Sequence, residues 1–159
     1  INLVTAFIAA SVINLFQGTI EKVVALAVLM PIVASMGGIA GTQTLTVLVR
    51  GIAIGQVGRN NQNWLLVREV TMGLLNGILW ACVVAVAASL WFDDWDLGLI
   101  IAAAMVINLV TAAFTGAALP LFLTRINVDP ALAGGVILTT VTDVVGFVSF
   151  LGLATLFYA

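Results

Sequence analysis

Three stretches of this chain, Val23 to Val49, Val70 to Phe92 and Leu97 to Thr124, contain no charged residue. Each is long enough, at about 20 apolar residues per crossing, to traverse a bilayer as a helix. The composition agrees: 63% of residues are hydrophobic, 8% are charged, and the mean hydropathy is +1.26. A soluble domain carries about 25% charged residues, so this chain is built to be solvated by lipid.

Several function classes are thereby excluded. Five positive residues against seven acidic ones provide no basic surface for a nucleic acid. There is no histidine, which removes hydrolytic triads that use an imidazole base. The single cysteine, Cys82, lies in an apolar run and allows neither an internal disulfide nor a cysteine-based zinc site. No enzymatic chemistry is indicated.

The charges punctuate the sequence. Ile1 to Phe16 is apolar and is closed by Gln17-Gly18-Thr19; Arg50, Arg59, Arg68 and the Asn60-Asn61-Gln62-Asn63 tract mark a polar loop; Asp93, Asp94 and Asp96 form an acidic turn. Arg125 to Asp129 makes a short break before a last apolar run, Pro130 to Tyr158. This spacing predicts an all-α polytopic membrane protein: one domain, 1–159, with five transmembrane helices at roughly 1–16, 20–50, 66–92, 97–124 and 130–158. Thr19 is the expected start of the second helix, with Glu21 near its positive end. Asp129 followed by Pro130 is the expected start of the fifth, because the carboxylate can accept free amide hydrogens and proline at the first position loses no hydrogen bond.

Cytoplasmic loops carry the excess of Lys and Arg. Arg50, Arg59, Arg68 and Arg125 fall on one side and only Lys22 on the other, which predicts a cytoplasmic amino terminus and an outer carboxyl terminus. Trp91 and Trp95 then sit at the outer interface as ordinary anchors. No cleavable signal is visible, and the chain reads as starting within a helix, as a piece of a longer protein would. The hexapeptide Ile1-Asn2-Leu3-Val4-Thr5-Ala6 recurs as Ile107-Asn108-Leu109-Val110-Thr111-Ala112, in segments that run in opposite directions. It is either an inverted repeat, a recurrent transporter architecture, or chance similarity between apolar segments.

Asp143 is the one charge away from a helix end. A carboxylate at the bilayer centre costs about 2.5 to 3.5 kcal/mol, and no positive residue lies at comparable depth. Three remedies are open: protonation, local hydrogen bonds from Thr139, Thr140 and Thr142, or a bound cation. Gly135, Thr139, Asp143, Gly146 and Phe150 share one helix face by their spacing of three and four. On the second helix Ser35, Gly38, Thr42 and Thr46 make a second polar, small-residue stripe. Two such stripes can line an aqueous path, while Gly37 and Gly41 form a small-xxx-small pair suited to close packing on another face. Pro31 and the Gly37-Gly38 pair can bend this helix or free carbonyls.

Pro31-Ile32-Val33-Ala34-Ser35-Met36-Gly37-Gly38-Ile39-Ala40-Gly41-Thr42-Gln43-Thr44, Val128-Asp129-Pro130-Ala131 and Thr139-Thr140-Val141-Thr142-Asp143-Val144-Val145-Gly146-Phe147 together resemble the membrane domain of the MgtE family of magnesium transporters. The resemblance spans essentially the whole chain. It implies a homodimeric, Mg²⁺-selective channel in the bacterial inner membrane, with the pore between protomers lined by the second and fifth helices. Asp143 matches the family's pore aspartate, which holds a hydrated Mg²⁺, and Thr139 a position near that ion. Gly38, Thr42 and Thr46 fall on the pore-lining second helix. Two positions depart from the pattern: Ile39 and Gly135 stand where family members have asparagine. Family members also carry cytoplasmic amino-terminal and CBS domains that close the pore when cellular Mg²⁺ is high, and this chain is expected to be a membrane domain without them. The competing expectation is a proton-coupled divalent-cation transporter that uses Asp143 as its proton carrier.

Overall fold

The computed structural model describes residues 2–58 and 60–158. Expectations that rest on Ile1 or Arg59 lie outside the described residues. Six helices follow in order: α1 Asn2–Leu15, α2 Gln17–Lys22, α3 Ala25–Ala53, α4 Gln62–Phe92, α5 Trp95–Arg125 and α6 Pro130–Tyr158.

Four of them, α3 to α6, have 29 to 31 residues and are apolar enough to cross a membrane. At 1.5 Å per residue they extend about 44 to 46 Å, more than the roughly 30 Å hydrocarbon core, so they tilt or project beyond it. The first segment forms a helix of 14 residues, about 21 Å long. The second segment differs from expectation. Thr19 does not open a long helix: it lies inside the short α2, whose hydrogen bonding stops at Val23, and α3 starts afresh at Ala25 with no side-chain cap on its first turn. The Thr19 hydroxyl instead meets the Thr155 hydroxyl of α6 at 2.7 Å, a tertiary contact that competes with capping. The start of α4 also moves, to Gln62, because the polar Gln62 and Asn63 join the helix rather than the loop.

α5 is the axis of the bundle. Ile101, Ala104, Met105, Asn108 and Ala112 are all 0% exposed, and their spacing of three and four runs a buried stripe along the helix. It packs against α3, α4 and α6, whereas α3 and α4 scarcely meet; α1 lies on α6. Glycines set these approaches. A Cβ on Gly73 of α4 would fall on Ala113, and one on Gly116 of α5 would stand 2.7 Å from the Gly41 carbonyl oxygen of α3. On the far side, α4 presents Leu75, Leu79, Val83 and Leu90 outward, each at least 51% exposed, as a lipid-facing helix should.

Polar bonds tie the two ends. At one, Arg50 and Arg125 occupy the last turns of α3 and α5, and an Arg125 Nη2 donates to Gln62 Oε1 of α4 at 3.0 Å. At the other, Asp93 adopts a left-handed conformation (φ 53°) that ends α4, and Asp94 caps α5 by accepting from the Asp96 and Leu97 amides at 2.9 and 3.1 Å. The Tyr158 hydroxyl at the end of α6 donates to the second Asp94 oxygen at 2.7 Å. Partial burial opposes ionisation of Asp94, but the hydrogen bonds from Tyr158, Leu97 and Asp96 outweigh it and hold the carboxyl below its usual range. The Asp129–Pro130 start is also realised, with Asp129 Oδ1 accepting the Ala131 amide at 2.8 Å.

Two outcomes follow for stability in detergent. Gly116→Ala sets a methyl against backbone that cannot rotate away and should lower stability by about 1 to 2 kcal/mol. Gly38→Ala, with nothing within 4 Å of the new atom, should melt at or above wild type because it gains up to about 1 kcal/mol of helix propensity. For Asp94, whose folded pKa is depressed, the stabilisation is full above the ordinary carboxylate value of 3.8 and is lost as pH falls through the folded value. Thermal melts of wild type and Asp94→Ala should therefore differ at pH 7, by about 1 kcal/mol for a lost cap, and converge in strong acid.

Candidate cation site

α3 and α6 leave between them a groove of about 730 Å³. Its walls are Ser35, Gly38, Thr42 and Thr46 with neighbouring residues of α3, facing Thr139 and Asp143 of α6. Both polar stripes therefore meet, as their helical spacing requires. Gly37 and Gly41 are buried while Gly38 is open, so α3 uses alternate sides of one small-residue run for packing and for the groove. Ile39, 55% exposed, sits on the groove's rim.

The α6 stripe divides along its length. Thr139 and Asp143, both half-buried, face the groove. Gly146 and Phe150 do not line it: Phe150 is 0% exposed in the core, and a Cβ on Gly146 would stand 2.8 Å from the Asn108 amide nitrogen. A shared helix face opens onto the groove at one level and is covered at the next, because α5 fills the space there. Gly135, one turn before Thr139, also lies outside the groove wall, and a Cβ there would meet open space.

The hydrogen-bond directions give the groove its chemistry. Thr42 Oγ1 donates to the Gly38 carbonyl at 2.7 Å, Thr46 to Thr42 at 2.8 Å, and Thr139 to both Gly135 and Val136 at 3.1 Å. Each hydroxyl hydrogen is thus spent within its own helix, leaving the oxygen lone pairs for the groove. In walls that are otherwise largely apolar, the three threonine oxygens and the Asp143 carboxylate are the acceptors on offer. Thr140 and Thr142 likewise donate to backbone carbonyls, to Val136 at 2.7 Å and to Leu138 and Thr139 at 3.2 and 3.1 Å. The local threonine bonds that might have satisfied Asp143 are committed elsewhere. Among the described residues, no three His, Cys, Asp or Glu side chains converge, so the chain builds no cage of its own.

Behind this groove lies a residue that spacing arguments missed. Asn108 of α5 is 0% exposed, and its Nδ2 donates to the Val33 carbonyl of α3 at 2.7 Å. A Cβ on Gly37 would fall on the Asn108 amide, and Gly146 accommodates it from α6. Its Oδ1 is buried with no partner. The signal was present in the sequence as one amide at the centre of the Leu97 to Thr124 run, but there it read only as part of the repeated hexapeptide.

Comparison with known proteins bears on this arrangement. Residues 30–153 match the MgtE family model, described as a divalent cation transporter. The chain is 31% identical over 150 residues to the magnesium transporter MgtE of Bacillus subtilis, covering 94% of this chain and 33% of that protein. It is 28% identical over 148 residues to the magnesium transporter MgtE of Enterococcus faecalis, covering 93% and 33% of the two chains. With that of Thermus thermophilus it shares 29% over 155 residues, covering 97% and 34%. The chain spans about a third of the length of these curated relatives.

Asn108 makes a direct test of the packing behind the groove. Asn108→Asp keeps the shape, removes the donor to Val33 and places a carboxylate in a fully enclosed position. It should cost about 3 kcal/mol of stability, measured by thermal melting in detergent at neutral pH.

Proposed function

The chain belongs to the MgtE family of divalent cation transporters, and from that premise we propose that it forms the membrane pore of a Mg²⁺-selective channel. The observation that carries the proposal is the α3–α6 groove, in which Asp143 is the single carboxylate among oxygen acceptors. Mg²⁺ demands octahedral geometry and sheds water reluctantly, so its first shell is largely water whose hydrogens point outward. The lone pairs of Thr42, Thr46 and Thr139 receive those hydrogens, and Asp143 supplies charge through the shell. Calcium, with a looser shell, and sodium, with half the charge, gain less from the same walls.

One carboxylate only half neutralises a divalent ion. A second copy across the groove would bring a second Asp143 and close the open side, which makes a homodimer the natural pore. In this reading Thr139, Thr42, Thr46 and Gly38 line the path, and Gly135 stands nearer its end. α1 continued by α2 contributes a fifth span, and the arginine-bearing end of the bundle is cytoplasmic, placing the amino terminus inside and the carboxyl terminus outside. In this reading a full-length protein adds cytoplasmic regulatory domains to the pore. The domain is a conduit, with no catalytic chemistry assigned.

Mg²⁺ uptake into liposomes decides the matter. Asp143→Asn preserves shape and removes charge, and the loss of one charge-assisted contact of about 1.5 to 3 kcal/mol should lower uptake more than tenfold. Unchanged uptake would refute Asp143 as the ion site. Wild-type uptake should proceed down a Mg²⁺ gradient with the proton gradient collapsed; if it stops, Asp143 is a proton carrier and the channel reading fails. Crosslinking in bilayers should capture dimers through cysteines placed along the groove's rim, for example at Ile39.

A further inference from the structure

α3 and α4 scarcely meet, and between them lies a second crevice of about 340 Å³ whose floor is Leu109 and Ala113 of α5; Gln43 and Val47 border both it and the first groove. That volume lies in the range of small-molecule sites, about 300 to 1,000 Å³. Five polar side chains face it: Gln43 and Thr44 from α3, and Arg68, Glu69 and Asn76 from α4. Glu69, Gly73 and Asn76 follow a spacing of four and three, so the polar face of α4 is continuous here, and Gly73 lets the helix settle onto α5. Polar groups on the membrane face of a bundle require partners. The side-chain hydrogen bonds of the described residues include none from Gln43, Thr44, Glu69 or Asn76.

The charge pattern selects the partner. A bare cation attracted to Glu69 would meet Arg68, and an inorganic anion attracted to Arg68 would meet Glu69. A zwitterion satisfies both. Depth selects further. α4 has 31 residues, about 46 Å, so it overruns a core of roughly 30 Å by about 8 Å at each end if centred. Arg68 and Glu69, about 9 to 10 Å along the helix from Gln62, thus stand where headgroup meets hydrocarbon. Arg68 lies over the Trp64 ring at 5.7 Å from its centre, an aromatic of the kind that marks this boundary. Deeper in the crevice Ala40 and Met72 are apolar, with Asn76 the polar side chain of α4 at that depth.

We propose that this crevice docks a phospholipid with a phosphoethanolamine headgroup. Its phosphate takes the Arg68 guanidinium, and its primary ammonium donates to Glu69. Gln43 and Thr44 offer donors to the ester carbonyls, and one acyl chain lies along Met72 and Leu109. Phosphatidylcholine retains the charges but has no ammonium hydrogen for Glu69, and phosphatidylglycerol has no cation at all.

The test is native mass spectrometry of the delipidated protein titrated with phosphatidylethanolamine, phosphatidylcholine or phosphatidylglycerol of matched chains. Wild type should retain phosphatidylethanolamine about tenfold better than either of the others, the effect of one charged hydrogen bond. Glu69→Gln should abolish the preference over phosphatidylcholine, Glu69→Asp should keep it, and Arg68→Gln should weaken all phospholipid retention. Equal retention of the three lipids by wild type, a comparison that needs no variant, would overturn the proposal. So would an undiminished preference in Glu69→Gln, or a crosslink through cysteine at position 76 showing this face closed against a second copy. None of these outcomes depends on Mg²⁺ transport, so the docking site and the pore stand or fall separately.

Discussion

The bundle depends on how closely α5 is approached by its neighbours. Without water to drive apolar surfaces together, helices in lipid associate through van der Waals contact and hydrogen bonds between backbones brought near. Here Gly116 lets the α3 backbone at Gly41 approach α5, Gly73 does the same for α4, Gly41 makes room for Leu138 of α6, and Gly37 and Gly146 make room for Asn108. The Asn108 bond to Val33 is the polar pin in that contact. Everything exposed, including both grooves, is what remains open around this spine. One groove runs along the packed pair α3 and α6, and the other opens between α3 and α4, which scarcely meet.

Much of the architecture was legible in where charges are missing. The three uncharged runs correspond to α3, α4 and α5, and Asp129–Pro130 opens α6 as its chemistry requires. The two small-residue stripes on α3 and α6 do converge, because period fixes which residues share a face. Period says nothing of what stands opposite that face at each level. For this reason Gly146 and Phe150 turned out to be covered, although they share the face of Thr139 and Asp143. Capping signals are local as well: Thr19 had the right identity for a helix start, yet the Thr155 hydroxyl 136 residues later claimed it.

Asn108 illustrates the opposite limit. A single amide in an apolar helix costs free energy unless paired, so its presence implied a tertiary partner, but no rule of spacing named Val33. The direction of the threonine hydroxyls was also out of reach of sequence. Only the folded helices show that Thr42, Thr46 and Thr139 each return their hydrogens to the preceding turn, and that choice leaves their oxygens as acceptors on the groove wall.

The adjacency of Gly37 and Gly38 has a mechanical consequence. One α-carbon presses on Asn108, while its immediate neighbour borders the groove. About 100° of helix separates them, so no rotation or sideways step of α3 can alter the width of the groove without also disturbing the seat of the amide. The width of the groove and the cohesion of the bundle are therefore geared to one coordinate. A change in the groove's width that keeps this seat intact has to carry α3 and α5 together against α6.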